Sequence, residues 1–343
     1  MNYKSFLKIL IPVILGVVFI FLSINITSEQ ERKFIFFSLK NADIKYVSLS
    51  ILCAIFSHLS RGYRWRFLLH PMGYKPKLSN TFLCVFIGYL ANLGVPRSGE
   101  VLRATFLSNY EEIPFQKTFG SIITERIVDV LILFILILIA LIIQFETIWS
   151  LLTKIKFVQI GAILILIGLI LTSSIYLIRK FKLSLALKLN LFIEGLLEGI
   201  SSIKKIENKL PFICHTIFIW VMYLFMFYLI KWSIPETHLL TIEMLIPAFV
   251  VGGLSIATTN GGIGIYPLSI ALVLSSYGIS KEIGLSFGWI VWSSQTILIL
   301  ILGALAFIIS QITLLKILLF KFQIKKRFIL KEVPITISSI RKY

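Results

Sequence analysis

Three short runs in this chain set charge or glycine among apolar residues, and each could do chemistry that a plain hydrophobic stretch could not. The first is Asn92-Leu93-Gly94-Val95-Pro96-Arg97-Ser98-Gly99-Glu100-Val101-Leu102-Arg103. Arg97 and Arg103 offer planar donor forks suited to phosphate, and Glu100 can orient Arg103 three residues on. Glycine and proline leave backbone groups unpaired, which at membrane depth is tolerable only against protein or a water-filled cavity. The same run also fits an interfacial turn whose arginines snorkel to water. The second is Thr124-Glu125-Arg126-Ile127-Val128-Asp129. Glu125 and Asp129 share a helix face at i+4, with Ser121 one turn earlier, and Arg126 can pair Asp129 at i+3. A charge at the bilayer centre costs about 2.5–3.5 kcal/mol, so these carboxylates are expected to face a cavity or an arginine. A purely structural ion pair with Arg97 or Arg103 is the alternative.

The third run is Thr258-Thr259-Asn260-Gly261-Gly262-Ile263-Gly264-Ile265-Tyr266-Pro267. Gly261, Gly262 and Gly264 permit positive φ and exposed amides, which with Asn260 can form an anion-binding nest at the start of a helix. A tight interhelical turn is equally compatible, and no lysine follows as a P-loop requires. Downstream, Trp289, Trp292 and Gln295 recur three apart, a face that reads as packing plus one interhelical hydrogen bond. Arg61, Arg64 and Arg66, with Tyr63 and Trp65 between them, end an apolar stretch and are expected at a lipid headgroup or interface.

The elements that must position these residues are membrane helices. Of 343 residues, 57% are hydrophobic and 15% charged, with 28 phenylalanines. A mean hydropathy of +0.93 would leave a water-soluble globule with large exposed apolar areas. A soluble enzyme, a disordered chain and a collagen-like fibre are thereby excluded. Cys53, Cys84 and Cys214, like the four histidines, are scattered without metal-ligand spacing, so neither a disulfide framework, a metal nor a cofactor is expected.

Spanning-length stretches fall at 7–26, 46–60, 118–144, 157–178, 210–230, 242–258, 263–278 and 284–310, about eight transmembrane helices in an all-α polytopic protein. Residues 7–26 read as a retained span, because Ser23-Ile24-Asn25-Ile26 lacks a small-residue cleavage pattern. Residues 81–95, broken by Gly88, Asn92 and Gly94, read as re-entrant. An amphipathic segment, 183–203, divides a transmembrane domain of 1–315 into halves of about 1–178 and 205–315, and 316–343 reads as a basic cytoplasmic tail. With both termini inside, 25 Lys and Arg fall on the cytoplasmic side and 8 outside, which assigns most of the net charge of +18 to topology rather than to nucleic acid. The first and third runs are then glycine-interrupted segments in corresponding positions of two halves, a pointer to a transporter site.

On these residues the chain resembles the flippase-like membrane family that includes the transmembrane region of lysylphosphatidylglycerol synthases, a group with many uncharacterised members. Pro96, Arg97, Gly99, Glu100 and Arg103, then Glu125, Arg126 and Asp129, then Gly261, Gly262 and Gly264 carry the resemblance, which covers roughly residues 5 to 315. Where members usually continue with a basic residue and a glutamate, this chain has Tyr266 and Pro267. The resemblance implies a plasma-membrane protein that moves an anionic, aminoacylated or polyprenyl-linked lipid between leaflets, without the soluble aminoacyl-transferase domain. Its expected partners are membrane lipids, an anionic phospholipid or a polyprenyl phosphate, and a neighbouring lipid-modifying enzyme; nucleic acid is not among them. The alternative is a membrane enzyme or accessory subunit acting on polyprenyl-phosphate-linked sugars, with Glu125 or Asp129 as general base.

Overall fold

The computed structural model describes residues 28–95, 97–143, 194, 197–199, 201–258 and 261–332, with backbone only for 257–258 and 313–332. The expected spans at 7–26 and 157–178, most of the amphipathic segment and the end of the tail lie outside the described residues. Everything regular among the described residues is helical.

Helix α1 (Glu29–Asn41) starts on a capping box: the Ser28 hydroxyl accepts from the Glu31 amide, and the Glu31 carboxylate accepts from the Ser28 amide. It turns by 82° into α2 (Ile44–Leu69), whose first amides are capped by Asp43. The apolar stretch 46–60 is thus the core of a 26-residue helix that carries Arg61, Arg64 and Trp65. Next come α3 (Leu78–Gly94), α4 (Ser98–Glu111) and α5 (Phe115–Ile143), then α6 (Lys209–Ile230), α7 (Ile242–Thr258), α8 (Ile265–Ser275) and α9 (Lys281–Glu332). The backbone of α9 stays helical through Glu332, into the stretch read as a basic tail.

By length and composition α5, α6 and the Lys281–Ile312 part of α9 can each cross a membrane, and α1 with α2 can form a fourth, bent span. The lipid-facing side of α5 exposes Val130, Leu131, Phe134, Ile135 and Ile142, a continuous apolar face that water would not tolerate. Residues 242–258 and 263–278, read from sequence as two spans, are instead helices of 17 and 11 residues separated by the glycine run. Eleven residues reach only about 16 Å, half the hydrocarbon thickness. Together α7 and α8 form a helix–break–helix pair, as α3 and α4 do around the break after Val95.

The two pairs enter from opposite ends. One end gathers the α1–α2 turn, the end of α6 and the start of α9, where the Asp43 amide donates to Ser233 O (2.7 Å) and Lys281 Nζ meets Glu31 Oε1 (2.6 Å). The α7–α8 pair opens there, since Tyr266, Ile270 and Leu274 join Phe227, Ile230, Ile234, Leu240 and Phe287 in one core. The other end gathers the end of α2, the start of α3, the end of α4 and the start of α6, with the Lys77 amide and Asn80 donating to Glu111 Oε1 and Leu69, Ile113, Ile206 and Phe212 in a second core. The α3–α4 pair opens there. Its shorter arm of 14 residues reaches about 21 Å. Arms of about 21 and 16 Å must overlap within about 30 Å of hydrocarbon. They do: a Cβ built on Gly261 would lie 3.0 Å from Leu93 Cδ2, so the two tips touch.

Close helix approach holds the second pair on α9. Gly284 and Gly288, four apart on one face of α9, leave room for the backbone of Ala271 and Pro267 in α8. Trp292 Nε1, one turn on, donates to Gly261 O (2.7 Å) in the glycine loop and fixes the tip.

Candidate functional site

The first tip is shaped by its own polar side chains. Helix α3 ends when Val95 leaves helical geometry, and Ser98 Oγ donates to Ala91 O (3.1 Å) and Val95 O (2.8 Å), adding to the bonds that these carbonyls accept from the Val95 and Ser98 amides. Asn92 Oδ1 accepts from the Gly99 amide (2.8 Å), capping α4 from the facing arm. Glycine is required at 99, because a Cβ there would run into Gly88 O and Asn92. Arg97 takes the left-handed conformation at φ 59°, rare for a residue with a side chain, and stays exposed at the tip.

Below the tip, α2, α4 and α5 converge on a buried charge cluster. Glu125 and Asp129, one turn apart on α5, both face inward as their spacing requires. Arg61 Nη1 reaches Glu125 Oε1 (2.7 Å) and Asp129 Oδ2 (2.6 Å), and Arg64 Nη2 reaches Asp129 Oδ1 (2.9 Å). Arg103 forms a two-pronged pair with Glu125, at 3.0 and 2.9 Å. Arg61, Arg64, Arg103 and Glu125 are 3%, 0%, 3% and 0% exposed. The rim is more open: Arg126 lies 3.4 Å from Glu100 and 3.7 Å from Asp129, with its side chain 39% exposed. A small crevice at the rim is lined by Gly88, Tyr89, Asn92, Glu100, Arg103 and Arg126, and Arg103 joins it to the buried pairs.

Aromatic and hydroxyl groups complete the shell. Arg103 stacks on Trp65 at 3.9 Å, whose indole N–H donates to Ser121 Oγ (2.9 Å), so Ser121 serves the cluster through Trp65. Arg64 Nη1 donates to Thr216, and Arg61 Nη2 to Tyr223 OH (3.4 Å), which in turn meets Tyr89 OH at 3.3 Å. In the first turns of α5, Lys117 pairs with Glu198 and Thr124 donates to Gly199 O, which ties the described part of the central linker to this helix.

Expectation and geometry differ at two points. Arg61 and Arg64, expected at an interface, are the centre of the cluster, because α2 runs on to Leu69 and carboxylates of α5 compensate their burial. Glu100 does not orient Arg103; it turns to Arg126, while Arg103 takes Glu125. Arg97 and the glycine loop lie at the two tips, apart from the buried pairs, and Asn260 lies outside the described residues. Tyr223, Tyr89 and Thr216 were missed. Their signal is weak but real, a hydroxyl in the middle of an apolar helix that must find a partner there.

Two touching broken helix pairs around a buried arginine–carboxylate cluster, framed by long apolar helices, define a multi-pass membrane protein with a polar interior. The model of the lysylphosphatidylglycerol synthase TM region matches residues 9–303, and the chain belongs to that family. Among relatives, it is 34% identical over 92 residues to a UPF0104 membrane protein of Methanocaldococcus jannaschii, covering 26% of this chain and 27% of that one. It is 32% identical over 94 residues to the glycosyltransferase AglD of Haloferax volcanii, covering 27% of this chain and 15% of that protein. The matched segment therefore spans about a quarter or less of either relative. No solved structure matches the chain.

Proposed function

We propose that this protein moves a phosphate-bearing lipid between leaflets of the plasma membrane, with both termini cytoplasmic. The observation that carries the reading is the position of the charge cluster, which lies beneath a crevice between a helix–break–helix pair and α5 where a chain only 15% charged has concentrated its intramembrane charge. Arg97 and Arg126, the accessible arginines, receive the headgroup phosphate at the first tip. Arg103 and Arg61 lie deeper and exchange a carboxylate oxygen for a phosphate oxygen as the headgroup passes. Gly261, Gly262 and Gly264, all at positive φ, offer backbone amides across the tip contact. The acyl or prenyl chains stay in lipid while the charge travels through protein, which avoids the cost of carrying it across hydrocarbon. Opposite entry of the two pairs supports an access route from each face, with the tips parting in turn.

A leaflet-resolved assay on protein reconstituted in vesicles tests this reading. Wild type is expected to equilibrate a labelled anionic lipid and Arg97→Ala to do so at least tenfold more slowly. Normal rates in Arg97→Ala and Glu125→Ala would remove the site assignment, and no transport of any lipid by wild type would remove the function.

A second reading, an enzyme or accessory subunit acting on polyprenyl-phosphate-linked sugar, draws support from the printed name of the Haloferax volcanii relative. It needs a free general base, whereas both oxygens of Glu125 accept from arginine. Sugar release or transfer from a labelled lipid-linked sugar would favour it.

A further inference from the structure

We infer that the headgroup taken by this site is net anionic and supplies oxygen acceptors only, so that a lipid whose headgroup carries an ammonium, an aminoacyl ester included, is discriminated against. The inference rests on the transporter reading and narrows it.

Charge is the first support. Ion pairs shorter than 4 Å link four arginines (Arg61, Arg64, Arg103, Arg126) to three carboxylates (Glu100, Glu125, Asp129), an excess of one positive charge. Arg97 at the tip raises the excess to two. Among the described residues nothing opposite offsets it: between Glu243 and Lys281 the α7–α8 pair carries no charged residue, nor does α6 between Lys209 and Lys231. An unbalanced cation in a low-dielectric interior is costly, and an anion of charge −1 or −2 cancels it.

Hydrogen-bond capacity is the second support, and it is independent of the first. The Nε–H groups of Arg61, Arg64 and Arg103 are buried without an acceptor, and that of Arg126 has only the poorly aligned Glu100 Oε1 at 3.4 Å, against a single unused carboxylate oxygen in the cluster, Glu100 Oε2. Three of those four arginines are at most 3% exposed. A phosphate brings acceptors and no donors when ionised, which matches this imbalance. An ammonium brings three donors and no acceptor, which worsens it. Aromatic faces can take an ammonium, but Trp65, Tyr223 and Phe212 are already occupied by Arg103, Arg61 and Arg64, and the Tyr89 ring in the crevice wall packs on the His58 ring at 4.6 Å.

The test uses full-length protein in vesicles of phosphatidylcholine with trace labelled phosphatidylglycerol, its lysyl ester, phosphatidylethanolamine or a polyprenyl monophosphate. The first or last is expected to cross at least tenfold faster than the lysyl ester and phosphatidylethanolamine, and the comparison of those two separates a phospholipid from a polyprenyl source. Arg126→Gln, which brings the linked cluster to neutrality, should shrink that preference several-fold. Transport of the lysyl ester as fast as phosphatidylglycerol overturns the inference and leaves the transporter reading standing. If wild type transports none of the four, the transporter reading fails, and native mass spectrometry of the same four lipids bound to detergent-solubilised protein decides the charge preference alone: preferential retention of the anionic pair supports it, equal retention overturns it.

Discussion

Replacing Glu125 by glutamine removes one charge from the cluster while keeping shape and part of the hydrogen bonding. Glu125 is wholly buried and accepts from Arg61 at 2.7 Å and from Arg103 at 3.0 and 2.9 Å, with Arg64 at 3.6 Å. After the change, Arg61 and Arg64 keep Asp129 while Arg103 loses its carboxylate partner, and the excess over the same residues rises from one positive charge to two. Stranding buried charge in this way costs roughly 3–5 kcal/mol. The contrast is Arg126→Gln, whose side chain is 39% exposed and whose pairs are long, at 3.4 and 3.7 Å, so that about 0–1 kcal/mol is at stake. Denaturant unfolding in detergent, followed by tryptophan fluorescence, measures both. A second step adds Arg103→Gln to Glu125→Gln; in a double-mutant cycle the two should couple by about 1–3 kcal/mol, the double variant being less damaged than the sum. If Glu125→Gln costs no more than Arg126→Gln, the cluster is not the electrostatic keystone of the α2–α4–α5 contact.

Gly99→Ala is expected to destabilise by about 2 kcal/mol or more, because its Cβ would strike the backbone carbonyl of Gly88, which cannot yield as a side chain would, and displace the Asn92 cap, whereas Gly253→Ala, with open space around its Cβ, should be near neutral; the same unfolding experiment compares them. Arg97→Gly relieves a left-handed residue at φ 59° and should leave stability unchanged or raise it by up to about 1 kcal/mol while lowering lipid transport, a separation of function from fold that only paired unfolding and transport data reveal. Trp292→Phe removes the hydrogen bond to Gly261 O and should cost about 1 kcal/mol and loosen the second tip, seen as faster amide exchange at Gly261 and Gly262.

Much of this was legible because the bilayer imposes strong rules on sequence. Long apolar runs gave α5, α6 and the first part of α9, and the i+4 spacing of Glu125 and Asp129 placed both on the inward face before any arginine was known to meet them. The break at 95–97 and the glycine run at 261–264 were legible as interruptions, because backbone polarity cannot be left bare in lipid. Two features were not. Residues 242–258 are as apolar as a true span and 263–278 are interrupted only by Gly264, Pro267 and Gly278, and it is the eleven-residue length of α8 and its docking on Gly284 and Gly288 that reveal a re-entrant pair. Arg61 and Arg64 read as interfacial because a hydropathy window ends where arginine begins; that α2 continues to Leu69 depends on compensation by α5, a long-range contact that no local pattern encodes.

The central claim is that lipid passes where the two helix tips meet, and locking them tests it most directly. A Cβ at Gly261 lies 3.8 Å from Leu93 Cα, within reach of a disulfide between cysteines at 93 and 261 once Cys53, Cys84 and Cys214 are replaced by serine. In vesicles, oxidation of the Leu93→Cys/Gly261→Cys protein is predicted to stop transport of labelled anionic lipid, and reduction to restore it, with each single-cysteine protein indifferent to both treatments. Undiminished transport by protein shown to be fully cross-linked would contradict passage between the tips.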